Sequence, residues 1–192
     1  MKKLILSATL AGAFFAPQAF AQANNFQGFS LGGSVNIAST KSDNSVLGSG
    51  SATSDTNASL WAQYTMALGT QFTLGLGAAA DVGELKAGTW SPGVDAKLKN
   101  MTSWYVAPGY AMSNSALFYG KIAAFTTKAS ATGQTDQDLS GYGYGIGFQN
   151  LLSKNLLMQY ELMANKADEK SVGAAKLNGS NLVLSIGVGY KF

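Results

Sequence analysis

The stretch Asn181-Leu-Val-Leu-Ser-Ile-Gly-Val-Gly-Tyr-Lys-Phe192 decides the fold class. In an extended chain, Leu182, Leu184, Ile186, Val188, Tyr190 and Phe192 fall on one face. Asn181, Val183, Ser185, Gly187, Gly189 and Lys191 fall on the other. A period of two is that of a strand, whose successive side chains point to opposite sides. The run from Phe72 to Val82 repeats it, with Phe72, Leu74, Leu76, Ala78, Ala80 and Val82 opposite Thr73, Gly75, Gly77, Ala79 and Asp81. The same test predicts eight strands, at Phe26–Ile37, Ala58–Gly69, Phe72–Gly83, Thr102–Met112, Ala116–Thr126, Ser140–Gln149, Asn155–Ala164 and Gly179–Phe192. Each is ten to fourteen residues long. Soluble strands usually stop near five or six residues, whereas ~9–11 tilted residues cross a bilayer.

The apolar face of these strands carries no charge. Their charges, Asp81, Lys121, Glu161 and Lys191, all fall on the small, Gly-rich face. Lipid imposes such a pattern, because a Lys at the bilayer midplane costs ~2–4 kcal/mol. A soluble eight-stranded cup would reverse the faces, with apolar residues inside and charge outside. The connections alternate in length. Ala38–Asn57, Glu84–Met101, Thr127–Leu139 and Asn165–Asn178 read as four long polar loops at one end; the links at Thr70, Ser113–Ser115 and Asn150–Lys154 are short. An even-stranded up-and-down transmembrane barrel has this layout, with short turns in the periplasm and long loops outside. Only closure satisfies every backbone group in lipid.

Composition removes most chemistries. The 192 residues include 13 Lys and 10 acids but no Arg, His or Cys. A Ser-His-Asp triad, imidazole or thiolate metal ligands and disulfides are therefore absent. The charged fraction is 12%, about half that of an ordinary soluble domain. The Lys residues are scattered and give no footprint for nucleic acid. No cofactor or metal site is expected, and no enzyme activity.

The amino terminus reads as an address. Met1-Lys2-Lys3 is basic, Leu4–Phe15 is apolar, and Ala19-Phe20-Ala21 precedes a cut after Ala21, with a weaker site after Ala23. Residues 1–21 are expected to be a signal peptide and 22–192 the barrel.

The stretches Val106-Ala-Pro-Gly-Tyr110, Leu117-Phe-Tyr-Gly-Lys-Ile122, Gly141-Tyr-Gly-Tyr-Gly-Ile-Gly147 and Gly187-Val-Gly-Tyr-Lys-Phe192 resemble strands of the small eight-stranded outer-membrane barrels of the OmpA/OmpX/Ail type. The resemblance covers the chain from residue 22 and implies a location in the cell outer membrane. It implies contact with outer-membrane lipid and lipopolysaccharide, and with the barrel-assembly machinery during biogenesis. A terminal aromatic closing the last strand, here Tyr190 and Phe192, resembles the assembly signal of such proteins. Members serve as envelope-stabilising, adhesion, serum-resistance or narrow-channel proteins. The resemblance thus leaves open a surface role through the loops, with an external ligand, or a narrow porin-like channel. A closed barrel needs no partner to cover its edges, so a monomer is expected.

Among single residues, Lys121 and Glu161 are expected to meet inside the barrel across the glycines of the sixth strand, as filler or as a gate. Asp81 should lie nearer the outer mouth. Trp61, Tyr105, Tyr119, Phe125 and Met163 point inward by parity. Trp104, Tyr110, Tyr142 and Phe148 point outward near strand ends and read as interfacial girdles. Pro108 lacks a ladder donor and is expected to mark a bulge.

Overall fold

The structure is a computed structural model that describes residues 23–46, 48–91, 94–133, 135–172 and 175–192. The expected signal peptide, residues 1–21, lies outside them. Nine strand segments follow a short 3-10 turn at Ala23–Phe26: β1 (Gly28–Asn44), β2 (Gly48–Leu68), β3 (Phe72–Val82), β4 (Glu84–Ser91), β5 (Val94–Ala111), β6 (Ala116–Ala131), β7 (Gln137–Leu151), β8 (Leu156–Val172) and β9 (Ala175–Lys191). All pairings are antiparallel, and all but two join chain neighbours. β1 closes onto β9, as Ser30↔Lys191 through Asn44↔Leu177. β3 pairs with both β2 and β5, which completes the ring. Gly83, at φ 99°, separates β3 from β4, so these two segments form one stave and the barrel has eight.

The barrel has two sections of opposite polarity. In the lower section the outward face is apolar and exposed; Leu60, Ile122 and Trp104 are 61%, 62% and 70% accessible. On β1 this belt runs from Phe29 to Ile37, about 26 Å along the strand at ~3.3 Å per residue. A tilt of ~40° leaves about 20 Å of height, close to the usual lipid-facing band. Beyond Ile37 the ladder does not end. β1 continues through Lys41 and Asp43 outward and Thr40, Ser42 and Asn44 inward. In this upper section the outside is polar while Phe125, Leu139 and Ala167 cluster inside, with Met101 and Ala129 against them. A polar outside and an apolar inside is the arrangement that water around a wall selects.

The stretches expected to be four long loops are therefore mostly paired hairpin. Asn44 pairs with Gly48, Ser91 with Val94, and Val172 with Ala175. Their outward faces turn polar above the belt, so no continuous apolar face marks them as strands in the sequence. β4 leans across the mouth: Ser42 Oγ donates to Ala87 O at 2.9 Å, and the Lys86 N–H donates to Asp55.

Two local expectations are corrected. Phe26 is not in the first strand; with Ala23 it packs inside the lower end against Ala111 and Leu117, and the Ala23 N–H donates to Thr70 O at 2.9 Å. Pro108 causes no bulge, because Val106↔Ile122 and Gly109↔Tyr119 keep one register on either side of it. Its pairing to Leu74 also continues. The missing donor interrupts the ladder locally without inserting a residue. The shift on β5 lies between Lys99 and Thr102, where Asn100 adopts φ 51°.

Candidate functional site: the filled lumen

Alternation carries every second residue of the lower section into the lumen. Lys121 and Glu161 flank β7, through Lys121↔Gly145 and Gly147↔Glu161. The glycines leave the two side chains free to meet. Lys121 Nζ donates to Glu161 Oε1 at 2.8 Å and Oε2 at 3.0 Å. The Tyr119 hydroxyl donates to Glu161 Oε1 at 2.8 Å, and Lys121 Nζ stands 3.8 Å from the Tyr105 ring centroid. All four residues are buried. A buried ion pair needs its remaining valences satisfied to be tolerated; the phenol and the ring face contribute to that.

Asp81 stays apart from this pair. It accepts from Asn57 Nδ2 and Ser59 Oγ, both at 2.8 Å, and Asn36 Nδ2 donates to Asn57 Oδ1 at 2.8 Å. Asn165 donates to Asn181 at 2.8 Å, and Gln149 to Gln159 at 3.0 Å. These amide pairs were not singled out from sequence; the inward parity of polar side chains on neighbouring strands was the available signal. A cavity of about 70 Å³ separates the two charged groups, bounded by Ser34, Trp61, Gln159 and Ser185 among others. It is polar enough to hold water.

The bare glycines are occupied by their neighbours. A methyl group added at Gly147 would overlap the Tyr119 ring, at Gly77 the Tyr105 ring, and at Gly32 the Trp61 ring. Added at Gly145 it would meet Met163 Sδ, and at Gly141 the Phe125 ring. The five inward bulky residues thus fill the space that the glycines leave, consistent with an eight-stranded interior just wide enough for side chains.

On the outside, Phe72, Tyr110, Phe118 and Phe148 stand in register across β3, β5, β6 and β7 at the lower rim. Trp104 and Tyr142 flank Ala124 in a row at the upper rim of the belt. Tyr190 and Phe192 pack edge-on with ring centroids 5.0 Å apart, and Phe192 lies 5.9 Å from Phe29. The Phe192 N–H donates to Phe29 O at 2.8 Å, tying the last residue to β1. Among the described residues, no group of three or more carboxylates is gathered for a metal.

The lumen is thus a packed column of paired polar groups and aromatics inside an apolar-coated barrel. Neisserial surface protein A superposes with a TM-score of 0.61 at 20% identity, over 86% of this chain and 98% of that one. The outer-membrane protease OmpT from Escherichia coli gives 0.51 at 9% identity, over 86% and 97%. Ail, the attachment invasion locus protein of Yersinia pestis, gives 0.48 at 17% identity, over 86% and 99%. At these identities the likeness concerns the fold. No curated protein sequence matches the chain. The outer membrane protein β-barrel domain family matches residues 6–192, nearly the whole sequence, and the chain belongs to that family of transmembrane outer-membrane barrels.

Proposed function

We propose that this protein is a non-enzymatic, monomeric outer-membrane barrel that works through its projecting wall. The short-turn end and both termini face the periplasm and the hairpins face outward. The observation that carries this reading is the reversal of polarity above the belt. It makes the upper section a packed, water-facing structure outside the membrane, suited to stabilising the envelope or meeting an external ligand. The lower section supplies the anchor. Export depends on the amino-terminal signal, and insertion on the assembly machinery.

The fold also carries proteases, so it does not decide against catalysis. The residue set supports the non-enzymatic reading: the chain has no His, and the lumenal carboxylates Glu161 and Asp81 are engaged by Lys121, Tyr119, Asn57 and Ser59. The alternative is a narrow channel, which the 70 Å³ polar cavity favours. The filled glycine spaces and the Ala23–Phe26 plug weigh against it. Planar-bilayer recording on refolded protein separates the two. We expect no defined conductance steps; reproducible steps above leak would favour the channel.

A further inference from the structure

Inside the upper section the inward side chains do not fill the ring. Residues of seven strands bound a cavity of about 40 Å³, among them Met101, Phe125, Leu139, Leu177, Ala87 and Ala167. A buried water needs ~10–15 Å³, so the space is about that of three waters, the bulk of one small ring. Met101, Phe125, Asn165 and Asn181 border both this cavity and the 70 Å³ one below, and divide them. Lys41 and Lys97 at its border are exposed on the outer face, Lys97 on Glu84.

Thr40 gives a second, independent observation. It is 2% exposed, lines this cavity, and its hydroxyl has no hydrogen-bond partner. The other polar side chains of the wall are engaged. Ser42 Oγ donates to Ala87 O, Thr127 Oγ1 to Lys99 O at 3.0 Å, and the Asn165 amide to Asn181. A buried hydroxyl left unpaired is destabilising. Water is a poor remedy here, because a buried water needs ~2–4 polar partners and apolar cavities stay dry.

β4 is the cover. It pairs with β5 alone. Its other edge is fastened by the Ser42 bond to Ala87 O and by the Lys86 N–H to Asp55. Gly83 at its foot has φ 99° and nothing within 4 Å of the place a side chain would take, so the segment has room to swing. Releasing two bonds thus uncovers the cavity.

We infer that the upper lumen is a binding site for a small uncharged ring compound with one hydroxyl or carbonyl group, a phenol or its like. The ring lies among Phe125, Leu139, Leu177 and the adaptable Met101. Its polar group bonds the Thr40 hydroxyl, and β4 closes over it. The enclosure leaves a long acyl chain no exit for its remainder. The inference deepens the outward-facing reading by giving its external ligand a place and a chemical class, and it rests on that reading for access from outside.

The test uses the full barrel refolded in phosphatidylcholine nanodiscs, with methionine labelled at the methyl carbon and the Met101 resonance assigned by Met101→Leu. Phenol should shift that resonance saturably. Benzene should bind about two- to tenfold more weakly, the worth of one hydrogen bond, and benzenesulfonate should not bind. Thr40→Val should reduce phenol to the affinity of benzene and raise or preserve the thermal midpoint of the empty barrel. Ala167→Leu should fill the cavity and abolish the shift. If that variant does not refold, Leu139→Ala, which enlarges the cavity, should make para-propylphenol bind better than phenol, the reverse of the wild type. The absence of a saturable shift in the wild type overturns the inference. So does equal affinity for phenol and benzene, or a phenol affinity unchanged by Thr40→Val. Nuclear Overhauser contacts from the Met101 methyl to lipid acyl chains would make lipid the occupant and overturn it too. The chain has no Cys, so labelling of the exposed Ser49→Cys on whole cells by an impermeant maleimide tests the outward orientation separately. Failure to label counts against that orientation, whereas failure of phenol to bind leaves it intact.

Discussion

Replacing Glu161 by Gln tests whether the lumenal ion pair is one energetic unit. In Glu161→Gln, the Lys121 ammonium keeps only the Tyr105 ring at 3.8 Å and the water that the adjoining 70 Å³ cavity admits. Breaking a buried pair costs ~3–5 kcal/mol. A retained cation–π contact of ~1–2 kcal/mol and local hydration reduce this to about 2–3 kcal/mol. In Lys121→Met, Glu161 keeps the Tyr119 hydroxyl at 2.8 Å, a charge-assisted bond worth ~1.5–3 kcal/mol, and the loss is again about 2–3 kcal/mol. The double variant leaves no stranded charge, and the amide at 161 still accepts from Tyr119. Its cost should be about 1–2 kcal/mol, giving a coupling of about 3 kcal/mol, at the upper end for residues in contact. Urea unfolding of the refolded barrel in lipid vesicles, followed by tryptophan fluorescence, measures all four corners of the cycle. A coupling under ~0.5 kcal/mol would refute the reasoning, since distant residues add within that margin.

Ile122 is exposed near the middle of the belt, so Ile122→Lys should block insertion or cost ~2–4 kcal/mol, whereas Ser185→Lys, inside and beside Glu161, should cost less; equal effects on refolding into lipid contradict the face assignment. Gly147→Val should cost ~1–3 kcal/mol by overlapping Tyr119, and adding Tyr119→Ala should recover part of that loss; purely additive unfolding energies would place Tyr119 elsewhere. Deleting Phe192 removes its bond and ring contact to Phe29, and should lower the heat-modifiable folded fraction in cell envelopes while leaving export intact. Glu84 outside the belt is held below the usual carboxylate range by Lys97 and then Lys99. Its folded-state value is depressed, so its small contribution is present above the unfolded value near 4.5 and fades as pH falls through the folded one. Glu84→Gln should therefore remove that small contribution at neutral pH and match the wild type at acid pH, where Glu84 is itself protonated, so that the acid limb of the stability profile below about pH 4.5 is flattened; an unaltered acid limb would remove Glu84 from that account.

The alternation of hydropathy over Phe72–Val82 and Asn181–Phe192 was enough to determine the number of staves and the inward or outward side of each residue within the belt. Lipid acts on each outward residue separately, so its demand is written locally, at every second position. That is why the inward placement of Trp61, Tyr105, Tyr119, Phe125 and Met163 was legible, and why the glycines around Lys121 and Glu161 pointed to a meeting. The sequence also excluded whole chemistries by lacking His, Arg and Cys.

The tertiary structure alone decided what depends on partners distant in the chain. Strands β1, β6 and β7 run past the belt because their neighbours supply hydrogen bonds there. In that region Leu139 and Ala167 turn in and Lys128 and Asp138 turn out, the arrangement that water outside a wall selects, so the apolar face ends at the belt and the residues beyond it read as loops in sequence. The packing of Phe26 into the lower mouth depends on Ala111 and Leu117 being brought beneath it. The separation of Asp81 from the ion pair depends on which hydroxyls and amides the ring sets beside it. The opposition of Lys99 to Lys128 and of Lys86 to Lys97 is a matter of register, set by the break at Gly83 and the bulge at Asn100. Period two determines the face a residue occupies; only closure of the ring determines which residue stands across from it.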